Sequence, residues 1–289
     1  MTQLINPTRP ISLLPNSGGG LDIIGTQGDN RLFFGAGGRD QADFILTFSG
    51  NDSILSGGGD DLILSGGGND YIVGQAGNDR IFSGSGNDLA AGNSGNDTIF
   101  GGKGADLLDG GEGNDLVAGD TGNDIALGSS GNDRVFGGQG SDAVAGGDGN
   151  DSVFGGRDND TVDGGAGNDS ISGDRGADVL IGGGGSDTFY FFSAGGDFGT
   201  DTIADFTPSE DKIRLQAGGA FSGLGSTFDT SEFVVVSGFT PGSPAATTAN
   251  KLIYDPQSGL LYFNNGSLVL TLAQLQPGLT ITSSNFELF

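Results

Sequence analysis

The consecutive stretches SGGGNDYIV (65–73) and GQAGNDRIF (74–82) share Gly at the fourth place, Asp at the sixth and a large apolar residue at the eighth. The pattern fills residues 47–190 as sixteen units of nine. The sixth place is always Asp: Asp52, Asp61, Asp70, Asp79, Asp88, Asp97, Asp106, Asp115, Asp124, Asp133, Asp142, Asp151, Asp160, Asp169, Asp178 and Asp187. The eighth is apolar throughout, from Ile54 and Ile63 through Val153 to Phe189. The fourth is Gly except at Asp158, and Thr47, Ser56, Ser65 and Ser83 replace the usual first Gly.

Six residues rich in Gly, Asn and Asp form a turn, because these types tolerate positive φ. The remaining three predict a very short strand with its eighth place pointing inward. Two units make a coil of eighteen residues, which buries its apolar side chains only by stacking on its neighbours. The expected fold is therefore all-β, a parallel β-roll over residues 25–190. Asp158 is expected to distort the turn at Asp160, since that place favours Gly. Two earlier turns, GTQGDN (25–30) and GAGGRD (35–40), share the type but fall out of phase, as end repeats of a stack commonly do.

Charge narrows the function. Acidic residues number 37 against 11 basic, a formal charge of -26, which argues against nucleic acid or an anionic membrane as partner. A compact form of so acidic a chain needs counter-cations. The chain has no Cys and no His, so disulfides, thiol chemistry, imidazole catalysis and most zinc sites are excluded. No apolar run is long enough for a transmembrane helix, so membrane insertion is not expected. Residues 1–20 have neither a basic start nor a long apolar core, so no Sec-type signal is expected there.

Calcium suits the repeat turns. It takes six to eight oxygens in irregular geometry, whereas Mg²⁺ demands a strict octahedron. Stacked turns recur every eighteen residues, so Asp52 is expected over Asp70 and Asp61 over Asp79. Eight turns per side leave about fourteen interior sites, or more if Asp40 in the GAGGRD turn takes part. At a tenfold excess each site contributes about 1.4 kcal/mol. Together they exceed the usual net stability of a domain, so the chain is expected to be unfolded without calcium.

The units resemble the RTX nonapeptide GGxGxDxUx, where U is a large apolar residue. That resemblance implies a calcium-bound parallel β-roll. The pieces SDTFYF, GTDTIADF, EDKIRL, LIYDPQSGLLYF and the closing NFELF are similar to the C-terminal region of type I secreted proteins of this kind. This similarity implies an uncleaved C-terminal export signal, passage through type I secretion machinery as an unfolded chain, and folding on external calcium. Asp201, Asp205 and Asp211 are either a further calcium site or exposed turn carboxylates.

The expected organisation is an extended lead-in or cap (1–24), the roll (25–190) and a β-rich capping and export domain (191–289). Strands in the last are expected at 233–236, 251–254, 260–263, 268–272 and 279–282. On the roll, outward places form apolar ladders at eighteen-residue spacing. One carries Phe82, Phe100, Phe136 and Phe154; the other carries Tyr71, Leu89, Leu107 and Ile125. Such ladders are unusual on a solvated monomer and point either to cover by the chain's own ends or to self-association. The function expected is a secreted, extracellular or surface-associated, non-enzymatic calcium-binding protein that assembles as a homo-oligomer, filament, matrix or layer. The alternative is a monomeric adhesive or carrier module for carbohydrate or protein.

Overall fold

A computed structural model describes residues 12–15, 21–33, 41–192, 199–216, 221, 224, 230–241, 251–264 and 269–289. The chain divides into two compact units, residues 1–152 and 153–289. Both are all-β apart from short 3-10 turns among the described residues. No described helix is long and apolar enough to cross a membrane.

The first unit is a parallel β-solenoid, as the repeat predicts. Strand Ser53–Gly58 pairs in parallel with Tyr71–Ala76, which pairs with Leu89–Ser94. On the other side Leu62–Gly67, Arg80–Ser85 and Thr98–Lys103 pair likewise. Every register step here is eighteen residues, as in Ile54 to Ile72 and Ile63 to Ile81. The eighth-place side chains form the core: Ile54, Ile63, Ile72, Ile81, Ile99 and Leu108 are completely buried.

Each repeat strand from Ser53–Gly58 onward in this unit is six residues long, not the three expected, and the turn shrinks to the fourth, fifth and sixth places. The ladder continues because the first place also points inward: Ser56 and Ser65 are buried there. Its residue must be small, since a Cβ on Gly74 would lie 2.1 Å from Asp79 Oδ2. The turn favours Gly at its fourth place. Gly122 has φ +145, and a Cβ there would stand 1.5 Å from the Gly104 carbonyl oxygen.

The amino-terminal coil carries a register step of twenty-two, with Leu32 beside Ile54 and Ile23 beside Ile45. Strand Ser12–Pro15 lies antiparallel on Leu21–Ile24, so the described part of the lead-in is an edge strand.

In the second unit Thr161–Ala166 and Ser170–Arg175 form parallel ladders of the same kind with Val179–Gly184 and Thr188–Phe191. Asp158 adopts φ 75, and the pattern around it holds: the Asp160 N–H donates to Asp178 Oδ1 at 2.9 Å. The expected distortion is not observed, because Asp is among the side chains that tolerate the left-handed region. Strands Asp201–Ile203 and Lys212–Leu215 extend the ladders with steps of twenty-three and twenty-four. The closing strand Phe286–Leu288 pairs in parallel with Lys212–Leu215, so NFELF forms a final rung. Lys251–Tyr254, Leu260–Asn264 and Val269–Gln274 make an antiparallel meander, with Phe239, Ile253 and Tyr262 packed together. Residues 279–282 are not a strand. The Gly278 turn (φ +85) redirects the chain, and Thr282 leads into the 3-10 turn Ser283–Asn285.

Candidate metal centre

The sixth-place carboxylates lie inside the turns. Asp52, Asp61, Asp70, Asp79, Asp88, Asp97, Asp106, Asp115, Asp124, Asp133, Asp142 and Asp151 are buried in the first unit. So are Asp160, Asp169, Asp178 and Asp187 in the second. One oxygen of the carboxylate serves the backbone. The Asp52 N–H donates to Asp70 Oδ1 at 2.8 Å, and the Asp61 N–H to Asp79 Oδ1 at 2.8 Å. The stacking expected from the eighteen-residue period is therefore present.

The other oxygen is the informative one. Oδ2 of Asp52, Asp61, Asp70, Asp79, Asp88, Asp97, Asp106, Asp115, Asp124, Asp133 and Asp178 is buried with no hydrogen-bond partner. An orphaned carboxylate oxygen costs about 1–3 kcal/mol or more, so a row of them marks a missing positive group. Space for one lies beside it. The Cβ position of Gly92 is 2.1 Å from Asp97 Oδ2 and 2.6 Å from the Gly110 carbonyl oxygen. At Gly119 the corresponding distances, to Asp124 Oδ2 and the Gly137 oxygen, are 2.5 and 2.6 Å. At Gly128 they are again 2.5 and 2.6 Å, to Asp133 Oδ2 and the Gly146 oxygen. Calcium–oxygen bonds span about 2.3–2.6 Å. The residues present fit a calcium ion.

Burial, the largest cause, raises the carboxyl pKa values, with backbone N–H donors opposing it. Asp79 and Asp124 reach about 7, and Asp61, Asp88, Asp97, Asp115 and Asp133 about 6. These carboxylates are held in a place that disfavours their charge until a cation arrives. No group of three or more acidic side chains converges among the described residues. One carboxylate per turn plus backbone carbonyls is a different construction.

Asn30 shows what such a turn accepts in a neutral form. It precedes the row: its N–H donates to Asp52 Oδ1 at 2.6 Å. Its Nδ2 donates to the Gly28 carbonyl at 2.6 Å, the Thr26 carbonyl at 3.2 Å and Asp52 Oδ1 at 2.8 Å. An amide with partial positive charge thus stands among two carbonyls and a carboxylate.

Asp40 lies outside the described residues. The row instead includes Asp43, buried, whose N–H donates to Asp61 Oδ1 at 2.7 Å. Sequence reading missed it because Gln41 stands where the fourth-place Gly is expected, although Asp43 and Ile45 sit in phase. In the second unit Asp201 and Asp211 follow Asp178 and Asp187, accepting from their N–H groups at 3.1 and 3.0 Å. They are buried, not exposed turn carboxylates. Asp205 accepts from the Gly182 and Gly183 N–H groups, both at 2.8 Å. Asp211 Oδ2 is already served by the Thr207 N–H at 2.7 Å.

A second ladder was missed altogether. Fifth-place Asn side chains accept from the next coil, as Asn51 Oδ1 does from the Asn69 N–H at 2.8 Å. The recurrent Asn-Asp pair was its signal.

The outward ladders differ from each other. Tyr71, Leu89, Leu107 and Ile125 are 38–46% exposed and align rung by rung. Phe82, Phe100, Phe136 and Phe154 are half-buried. Phe82 stacks on Phe100 at 5.3 Å, and Arg80 and Arg134 lie over Phe82 and Phe136 at 5.9 and 5.7 Å.

These features define a class: a parallel β-roll whose turns carry an inward carboxylate and a carbonyl-lined cradle. The family model of the RTX calcium-binding nonapeptide repeat matches at 56–90, 82–117, 91–126, 118–153, 127–162 and 154–189. Residues 56–189 are RTX calcium-binding nonapeptide repeats. No curated protein matches the chain.

Proposed function

We propose that this is a secreted, non-enzymatic structural protein that folds on external calcium and then self-associates. The observation that carries the reading is the row of buried, unpartnered Oδ2 atoms from Asp52 to Asp133. The sixth-place Asp residues and the first-place carbonyls of glycine-led units hold the ion in this reading. Calcium supplies the positive charge that lets stacked carboxylates stay ionised inside the roll. Sixteen repeat turns allow about fourteen such positions, one between each stacked pair. RTX-repeat proteins are typically secreted, and the similarity of residues 186–215 and 251–289 to type I export regions supports passage through that machinery.

Self-association uses the exposed row Tyr71, Leu89, Leu107 and Ile125. Its occupant is a second copy, because two rolls share the same rung spacing and can match row to row. The Phe row is less suited, since Phe82 and Phe100 stack on each other and Arg80 and Arg134 lie over Phe82 and Phe136. Sedimentation velocity in calcium tests this. Concentration-dependent growth that Leu89→Lys with Leu107→Lys abolishes is the expected result. A wild-type monomer at all concentrations contradicts assembly and favours the adhesive or carrier module.

A further inference from the structure

Between residues 53 and 152 the two sheets of the first unit carry different charge on their outward faces. The cations of this span are Arg80, Lys103 and Arg134. All stand on strands of one sheet, Arg80–Ser85, Thr98–Lys103 and Arg134–Gln139. The other sheet bears Asp109, Glu112 and Asp148, on Leu107–Glu112 and Ala143–Asp148. The three cations are exposed, and among the described residues none forms a salt bridge, unlike Arg214 with Glu287. In a chain with 37 acidic residues against 11 basic ones, cations gathered away from any acidic partner are unexpected. Aromatic rings stand beside them. Phe82 and Phe100 stack at 5.3 Å, and Arg80 and Arg134 lie over Phe82 and Phe136 at 5.9 and 5.7 Å. These rings are the middle of three rows that run along the roll. Arg80, Thr98, Leu116 and Arg134 are in register on one side, and Lys103, Thr121 and Gln139 on the other. One acid, Asp120, shares the face, in register with Gly102 and Gly138.

We propose that this face binds an acidic polysaccharide laid along the roll. The two guanidinium groups and the ammonium are matched by carboxylate or sulfate groups, which Arg holds in a bidentate fork. The half-buried rings give an apolar strip for the C–H groups of pyranose rings, and Thr98, Thr121 and Gln139 offer hydrogen bonds to sugar hydroxyls. Arg80 and Arg134 stand three rungs apart, roughly 14 Å at the usual strand spacing, so one short oligosaccharide reaches all three cations. Denser polyanions fit less well. A formal charge of -26 repels nucleic acid or an anionic bilayer over the whole surface, whereas a strand of sparse charge meets only this face. A peptide added as a strand needs a free sheet edge, and these strands are paired on both sides. The row Tyr71 to Ile125 lies on the other sheet, so glycan binding and self-association are separable outcomes.

The test is isothermal titration of the full, calcium-loaded chain with a short oligogalacturonate, against a neutral dextran oligomer of equal length. Circular dichroism checks the folding of each variant. Binding of the acidic oligomer alone is expected, weakened about tenfold or more in R80Q/K103Q/R134Q. Asp120→Asn, which removes the one acid of the face, is expected to tighten it. That variant and Arg134→Gln alone decide the matter if the triple variant fails to fold. D109N/E112Q, on the other sheet, is expected to change nothing; lost binding there means calcium bridging between carboxylates and overturns the proposal. Equal binding of the neutral oligomer, or none of either, overturns it, as does a folded triple variant that binds like wild type. Preference for an oligonucleotide or for anionic phospholipid vesicles over the glycan overturns it too, by assigning the face to another class of partner.

Discussion

At the scale of the residue, Asp at the sixth place does two jobs with two oxygens. Oδ1 accepts the N–H of the coil before it, as Asp133 Oδ1 does from Asp115 at 2.7 Å. Oδ2 is left for a cation. Without one, burial makes the charged form costly, and the sign of the pH dependence follows. An unfolded Asp titrates near 3.9, while folded Asp133 and Asp124 titrate at about 6 and 7. The folded state binds more protons, so stability falls as pH rises above about 4 and levels off once it passes those folded values. In chelator, the β signal is therefore expected to be stronger at pH 5 than at pH 8. Circular dichroism across that range checks this, and the reverse order contradicts the role given to burial. The sixth and eighth places were legible in the sequence because every unit repeats them. Asp43 and Asn30 were not, because the Gly residues that flag a turn are displaced or separated by a register step of twenty-two.

At the scale of the element, a nonapeptide is one strand and one tight turn. The sequence showed its period but underestimated the strand, because Gly-rich residues at the first to third places read as turn. They remain extended through the parallel ladder, with Gly111 in register with Asn93. The same places tolerate non-Gly residues: Gln75, Asn93, Asp120 and Ser129 all have positive φ at the second place. The fourth place is stricter, since its missing Cβ makes room for a carbonyl. Gly122→Ala is expected to destabilise the calcium-loaded protein by about 1–3 kcal/mol or more, from strain at positive φ and the clash with Gly104. Gln75→Gly, which meets no such demand, is expected to change stability by well under that. Urea denaturation of both variants in saturating calcium measures the difference, and equal effects contradict the distinction. The terminal meander was largely legible from its alternation. Residues 279–282 misled because their apolar spacing was read without a pairing partner.

At the scale of the whole molecule, a formal charge of -26 opposes compaction while the apolar eighth places favour it. Stacking alone buries one such residue per unit, and each unit brings one carboxylate inside with it. The balance is therefore set by what neutralises those carboxylates. Neutral donors ease two carboxylates without removing their charge, Asn30 at Asp52 Oδ1 in the first unit and the Thr207 N–H at Asp211 Oδ2 in the second. In the reading proposed above, calcium supplies the neutralising charge in the glycine-led turns. The most direct measurement is far-UV circular dichroism of the full chain at neutral pH, in saturating calcium and then in excess chelator. The account predicts a β spectrum in calcium that is largely lost on chelation and returns when calcium is restored. A β spectrum that survives excess chelator unchanged contradicts it.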